Sequence, residues 1–496
     1  MVRPSFSHRV GLLVCLAGAA PALGAQRAAP APALERPNIV LIVLDDMGVE
    51  KVGAYGEGPP GVAPPCTPNL DSLALEGVLF RNAWTNPVCS PSRAQILTGR
   101  HSFRTGIGEG ISSDPLAGPG LEVLREHMLP KALIGYDTSM VGKWHLSSPV
   151  NGSIDDPLRA GFGFYAGSLF NLHTTWGADC SGFGTYGYYN WAKAFDPSGS
   201  GSLVETCCST YATTDTADDA IARASSMQAP WFLYVAFNAA HEPIEAPPPA
   251  LCPPSGSCAV QHCPSSEVGT AVQVNAMVEA LDTELGRMVQ AIRAVDPEVY
   301  VIVIGDNGTY PAGAQGAPGG CFAFPNTKAR LFEGGINVPL IIAGPDVVAG
   351  ECTALVSSTD VFNTVTELAR VSRRRLGGPA VPEDSVSLVP YLRGHGKPLR
   401  STVYAELYSP NQPHDSYGLA FKPAHHWRVV RDERYKLHRL ETGGVVYEQL
   451  YDLLSDPCEQ AGLCSGTGDC DPAQLGPDAL AHYQSLVLEM QRLGVY

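Results

Sequence analysis

Several polar residues of this 496-residue chain stand where buried strands would end, and their types suit chemistry. Asp45 and Asp46 close the apolar run Asn38–Leu44, and Asp306 and Asn307 follow the run Val299–Ile304 after a single glycine. All four are hard oxygen donors suited to Ca²⁺ or Mg²⁺, and three carboxylates brought together would repel one another without a cation. Read alone, either pair also suits a turn or a helix cap. Lys143 and His145 are two residues apart and so share one side of an extended segment, His241 follows the apolar run Trp231–Phe237, and Lys328 lies in a loop before Val338–Ile342. Cys89 sits inside Cys89-Ser90-Pro91-Ser92-Arg93.

The elements that would position these residues form an α/β pattern. The four runs Asn38–Leu44, Trp231–Phe237, Val299–Ile304 and Val338–Ile342 are continuous and apolar, as in strands buried on both faces. Helical stretches at Thr67–Gly77 and Val268–Val295 lie between them, the second with Met277, Leu281, Leu285 and Met288 at helical spacing. The fold class expected is α/β: a large mixed, mostly parallel sheet flanked by helices, whose ligands gather beyond the carboxyl ends of the strands. After the Gly394-His395-Gly396 turn the segments become shorter and alternating, as in Trp427–Val430 and Tyr435–Leu437. This places a smaller C-terminal domain with an antiparallel sheet at 398–496, after a catalytic domain at 37–397.

Lys and Arg number 33 against 49 Asp and Glu, a net charge of −16, which is the wrong sign for a protein that neutralises nucleic-acid phosphates. Residues 1–24 read as a secretory signal, with Arg3 and Arg9 before an apolar stretch and small residues around Gly24, and residues 25–36 as a flexible lead-in. The Val14 before Cys15 does not suit a lipid anchor there. A secreted or periplasmic protein without stable membrane insertion is expected. Of the 14 cysteines, removing Cys15 with the signal leaves 13, an odd number that requires one unpaired thiol.

The stretch Cys89-Ser90-Pro91-Ser92-Arg93, continued by Leu97-Thr98-Gly99-Arg100, resembles the signature of the formylglycine-dependent sulfatases of the alkaline phosphatase superfamily. In that family a separate formylglycine-generating enzyme oxidises the cysteine to the aldehyde 3-oxoalanine. The aldehyde hydrate carries two hydroxyls on one carbon, so that one can attack sulfur while the other stays to release sulfate. Setting Cys89 aside leaves 12 cysteines, which predicts six disulfides. Gly135–Leu146 resembles the second sulfatase signature, which implies that Lys143 bridges substrate and hydrate and that His145 contacts the hydrate. Phe237–Pro243 is similar to the family's strand-end histidine segment, making His241 the sulfate-binding histidine and candidate general acid. Lys328, five residues before Glu333-Gly334-Gly335, matches the second sulfate lysine, and Arg93 belongs to the signature itself. The resemblance also implies a divalent metal, calcium or else magnesium, on Asp45, Asp46, Asp306 and Asn307. That ligation is incompatible with reading Asn307-Gly308-Thr309 as a glycosylation sequon.

The resemblance extends from about Pro37 to Val446–Leu453, with two departures. Asn337 stands where family members carry an arginine in E-G-G-x-R-V-P, and the region after His145 is unfamiliar, leaving Asn171, His173 and Trp176 as candidate substrate contacts. Cys252, Cys258, His262 and Cys263 admit a zinc reading, though an oxidising compartment favours disulfides. The function implied is hydrolysis of an aryl sulfate or a sulfated carbohydrate. The alternatives are a phosphonate monoesterase or phosphodiesterase of the same superfamily, and an exported binding protein for sulfated glycans that performs no turnover.

Overall fold

In the computed structural model the described residues are 36–114, 118–265, 267, 269–316, 320–371, 384–412 and 423–495. The expected signal, most of the lead-in and Cys15 lie outside them. Strand β1 (Ile39–Leu44) is buried along its whole length because its side chains alternate between two cores. Ile39, Leu41 and Val43 enter one and Val40, Ile42 and Leu44 the other. The remaining strands of its sheet are β2 (Val78–Trp84), β3 (Asp137–Gly142), β4 (Phe164–Gly167), β5 (Trp191–Phe195), β6 (Val204–Cys208), β7 (Trp231–Ala236), β8 (Tyr300–Gly305), β9 (Leu340–Ala343) and β10 (Gly350–Ser357). Their order is β10-β2-β9-β8-β1-β7-β3-β4-β5-β6. The central strands β8, β1, β7, β3 and β4 run parallel, β9 runs against both its neighbours β8 and β2, and β5 and β6 add antiparallel pairs. The sheet is mixed and mostly parallel, as expected.

One face is covered by helix α2 (Cys89–Thr98) and the helix Asp360–Leu368. The other face carries α1 (Pro68–Glu76) and the helices Ala212–Ser226 and Ala271–Val295, the last presenting Met277, Leu281, Leu285 and Met288 to the core. The parallel direction of β1, β3, β4, β7 and β8 sends their following loops to one edge of the sheet. Because β9 runs the other way, the loop that precedes it reaches that edge too.

A second sheet is antiparallel, with β11 (Val403–Ser409), β12 (His425–Arg431), β13 (Tyr435–Thr442), β14 (Val445–Asp452) and β15 (Cys464–Thr467) in sequential order. The helix Pro477–Leu493 closes its own core through Tyr483, Leu486 and Met490.

The cysteines correct two expectations. Five disulfides form among the described residues, Cys66–Cys258, Cys180–Cys207, Cys252–Cys263, Cys321–Cys458 and Cys464–Cys470, in place of six. Cys208 and Cys352 stay free beside Cys89 because they lie in β6 and β10, the opposite edge strands of the ten-stranded sheet. Nine strand spacings, about 40 Å, separate them. The zinc reading fails because Cys252, Cys258 and Cys263 are all consumed in disulfides and His262 pairs with Glu279 at 2.9 Å.

Gly142 ends β3 at φ 89°, and a Cβ there would lie 1.9 Å from the Ala236 carbonyl oxygen. Overpacking and the left-handed backbone together predict that Gly142→Ala lowers stability by about 3 kcal/mol. Urea denaturation checks this, and an unchanged midpoint would contradict the packing described.

Candidate active site

The end of β1 delivers Asp45 and Asp46, the end of β8 delivers Asp306 and Asn307, and all four are buried. Three acidic side chains this close need opposite charge, and three cations supply it. Arg93, projecting from α2, donates from Nε and Nη2 to Asp306 Oδ2 at 3.0 and 2.8 Å, and its Nη2 lies 3.5 Å from Asp45 Oδ2. Lys143, one residue past β3, reaches Asp45 Oδ2 at 2.5 Å. Lys328, from the loop before β9, reaches Asp46 Oδ1 at 2.6 Å. Three carboxylates therefore face three cations in a site that is buried except at Lys328 and His241.

The titration directions follow from this arrangement. Burial raises the Asp45 carboxyl, but Lys143, His241, Arg93 and Lys328 overcome that and hold it well below the usual range. Burial dominates at Asp46, which is raised despite Lys328, and burial with the Asp45 charge pushes Asp306 up to about 7.

Cys89 is the first residue of α2, and its Sγ sits inside the charge cluster, 3.3 Å from Asp45 Oδ1, 3.7 Å from Lys143 Nζ and 3.6 Å from Lys328 Nζ. Burial and the charges of Asp306 and Asp45 push the thiol pKa well up, so the unmodified side chain is a protonated, weak nucleophile. A position flanked at once by ammonium donors and carboxylate acceptors suits a group with two hydroxyls better than a thiol.

The two histidines present defined ring atoms. His145 Nε2 lies 2.9 Å from the Ile111 carbonyl, to which it donates, leaving Nδ1 a buried lone pair with no partner among the described residues. Burial, Lys143 and Arg93 keep that ring neutral. The extended segment considered from the spacing of Lys143 and His145 does not form, because His145 adopts φ 56°. His241 Nδ1 lies 2.7 Å from the Glu242 carbonyl, which leaves Nε2 turned toward Asp46 Oδ2 at 4.0 Å. Burial and the two lysines push its pKa well down.

The carboxylates of Asp45 and Asp46 and the buried Asn307 Oδ1, which has no hydrogen-bond partner among the described residues, are oxygen donors that fit a hard divalent cation. Asp45, Asp46, Cys89 and His241 offer ligand atoms within 4.8 Å of one another; Asp306 is outside that group, its Oδ2 accepting from Arg93 and its Oδ1 from Asp46 N, and Asn307 Nδ2 donates to Asp46 Oδ1 at 2.7 Å. Asn307 is fully buried, so the sequon reading does not apply to the folded chain.

The candidates after His145 separate. Asn171 and the exposed His173 lie in the loop after β4, and partial burial with the charge of Lys143 lowers the His173 pKa against the opposing effect of Glu242. Trp176 instead stacks on Phe170 at 5.9 Å and packs against the core. The sequence did not single out Glu242 and Tyr310, whose carboxylate and hydroxyl face each other beside Lys328. Their only sequence signal is adjacency to His241 and to Asp306–Thr309.

Comparison with known proteins agrees with this geometry. Residues 37–371 match the family model described as Sulfatase. The chain belongs to the sulfatase family. It is 31% identical to canine (Canis lupus familiaris) N-acetylgalactosamine-6-sulfatase over 383 residues, 72% of this chain and 65% of that protein. It thus spans just under two thirds of that relative's length. With human (Homo sapiens) arylsulfatase A the identity is 29% over 495 residues, covering 92% of this chain and 88% of the relative. The fold matches that of Ps i-CgsB in complex with k-i-k-neocarrahexaose, with a TM-score of 0.67 at 22% identity over 92% of this chain and 93% of that one. It also matches BT4656 in complex with D-glucosamine-2-N, 6-O-disulfate, with a TM-score of 0.63 at 19% identity over 92% and 98% of the two chains.

Replacing Arg93 with methionine leaves Asp306 and Asp45 without their shared guanidinium. In metal-free buffer Arg93→Met is expected to cost about 3–5 kcal/mol of stability, measured by chemical denaturation. A midpoint equal to the parent protein's would show that the charge cluster does not depend on Arg93.

Proposed function

We propose that this protein hydrolyses a sulfate monoester to an alcohol and inorganic sulfate, with the residue at position 89 as nucleophile after its conversion to formylglycine. The reading rests chiefly on the position of Cys89, at the N-terminus of α2 between two lysines and the Asp45 carboxylate. The formylglycine hydrate supplies one hydroxyl for attack on sulfur and a second whose deprotonation frees sulfate. A calcium or magnesium ion on Asp45, Asp46, Asp306 and Asn307 would supply positive charge to the hydrate and the sulfate oxygens.

The chain's own residues divide the remaining work. With three carboxylates already balanced by Arg93, Lys143 and Lys328, a dication gives the site a net charge of about +2, which favours a tetrahedral anion. Lys143 and Lys328 then turn their ammonium groups to sulfate oxygens, with Lys143 also reaching the nucleophile. The neutral His145 offers its free Nδ1 lone pair to a hydroxyl proton, since Nε2–H is committed to Ile111. His241 Nε2 faces the anion, whose negative charge favours the protonated ring that a general acid for the leaving alcohol requires. Arg93 fixes Asp306 and Asp45 and does not need to touch substrate. Glu242 and Tyr310, beside Lys328, would border the leaving group, and His173 and Asn171 remain candidate contacts from the loop after β4 for an aryl or a sugar alcohol. Modification by a formylglycine-generating enzyme and export to a secreted or periplasmic location complete the proposal. The five disulfides support that location, and none of the helices among the described residues is long and apolar enough to cross a membrane.

Turnover of matched 4-nitrophenyl sulfate, 4-nitrophenyl phosphate and phenyl phosphonate esters tests the reaction class. Sulfate is expected to be the preferred ester, and a higher kcat/KM for phosphonate would move the assignment to the phosphonate monoesterases. Cys89→Ala is expected to lower turnover by about 10⁴-fold or more with an unchanged melting temperature. Sulfate-ester binding with no turnover by the modified protein would support a binding role instead. Chelation with EGTA or EDTA should remove activity and added Ca²⁺ or Mg²⁺ restore it; activity indifferent to both would contradict the metal assignment.

A further inference from the structure

Lys436, the second residue of β13 and completely buried, is far in sequence from every residue of the site. Its Nζ donates to Glu333 Oε1 at 3.1 Å, lies 2.8 Å from Glu459 Oε1 and stands 4.7 Å from the Trp84 ring centroid. Glu459 follows β14 and is itself buried. Its Oε1 also faces His438 Nε2 at 2.9 Å, and its Oε2 accepts the Glu333 backbone N–H at 2.6 Å. Burial raises the Glu459 carboxyl, but Lys436 and His438 bring it down to about 2, so it is ionised. Arg431 adds a second contact to Glu333 at 3.3 Å, and Trp84 Nε1 donates to the same carboxylate at 3.2 Å. These are the partners Glu333 finds in a chain that has Asn337 at the usual arginine position. Asn337 is spent on β2, accepting from Ala83 N and donating to the Arg81 carbonyl.

The turn that begins at Lys328 and ends at Glu333–Gly335 has no slack. A Cβ at Gly335 would lie 2.0 Å from the Arg330 carbonyl oxygen and 2.5 Å from that of Thr327, and one at Gly334 would lie 2.2 Å from that of Asn326. Lys328 N donates to the Thr309 carbonyl at 3.0 Å, and Gly308 N to the Gly335 carbonyl at 2.9 Å, so the same turn holds the segment after Asn307. Phe332 fixes its far side between His438 and Trp427, at centroid distances of 5.1 and 5.7 Å. Glu333 and Lys328 thus stand at the two ends of one tightly packed turn, in which the Asn326, Thr327 and Arg330 carbonyls press on Gly334 and Gly335, and this packing is the route by which a shift at Glu333 reaches Lys328.

We propose that Lys436 and Glu459 of the C-terminal sheet are positioning residues that act through Glu333 to set Lys328 against the bound sulfate group. The assignment rests on the sulfatase reading for the role of Lys328. It gives the second sheet a part in the reaction: a buried Lys–Glu pair reaches across to the catalytic sheet and fixes one of the two lysines that contact the anion. The pair does not touch substrate.

A double-mutant cycle with Lys328 tests this. Lys436→Met and, separately, Glu459→Gln are combined with Lys328→Ala, and each protein is assayed for kcat/KM on an aryl sulfate and for affinity for inorganic sulfate by calorimetry. In the parent background each substitution is expected to lower both quantities about 10- to 100-fold, and in the Lys328→Ala background by less than about 2-fold. Lys436→Arg, which keeps the charge, should recover most of the loss. If Lys436→Met does not fold, the milder Glu459→Gln carries the cycle. Equal losses in both backgrounds, or no loss in the parent, would overturn the proposal. Sulfate affinity reads the cycle without catalysis, so absence of turnover would count against the sulfatase reading while leaving this inference decided by binding.

Discussion

Three carboxylates buried at the ends of two adjacent parallel strands cannot all stay ionised unless positive charge is brought in from elsewhere in the chain. Asp45 and Asp46 end β1, Asp306 ends β8, and the balance comes from three remote segments: the α2 helix with Arg93, the end of β3 with Lys143 and the loop before β9 with Lys328. Neutralising this cluster brings together strand ends more than 250 residues apart in sequence, and it places Cys89 where both lysines meet. Removal of one member leaves a partner charge buried and unpaired, which is the costly case for ion pairs in a protein interior.

The sheet makes this geometry available. Five parallel strands send their carboxyl ends to one edge, and the reversed β9 brings its preceding loop to the same place. The second sheet lies behind that loop, where the buried Lys436, Glu459 and His438 meet Glu333. The Cys321–Cys458 disulfide and the Asn326 side chain, which donates to the Cys458 carbonyl, tie the same two regions. The antiparallel sheet thus packs against the part of the molecule where a displaced lysine would matter most.

Much of the site was legible in the sequence because its signals are local. The apolar runs that end abruptly at Asp45 and Asp306 marked buried parallel strands, and the linear stretch from Cys89 to Arg93 marked the residue proposed here as the nucleophile. Cysteine parity misled, since an even remainder of 12 does not reveal that Cys208 and Cys352 stand on opposite sheet edges. The turned backbone at His145 was hidden as well, because spacing alone does not report a positive φ. The partners of Glu333 were out of reach for a different reason. The departure at Asn337 was visible, but the replacement cations come from β12 and β13 about 100 residues on, and an alternating strand does not say which of its charged residues faces a buried carboxylate. Glu242 and Tyr310 belong to loops whose approach to each other only the folded chain displays.

The most direct test of the account is peptide mass spectrometry on the tryptic fragment Asn82–Arg93 from protein produced together with a formylglycine-generating enzyme. Conversion of the Cys89 thiol to an aldehyde lowers the fragment's mass by about 18 Da, and the account predicts that loss at Cys89 and at neither Cys208 nor Cys352. A fragment that keeps its thiol, or carries a disulfide, under these conditions would contradict the claim that the buried charge cluster is built around a modified residue at position 89.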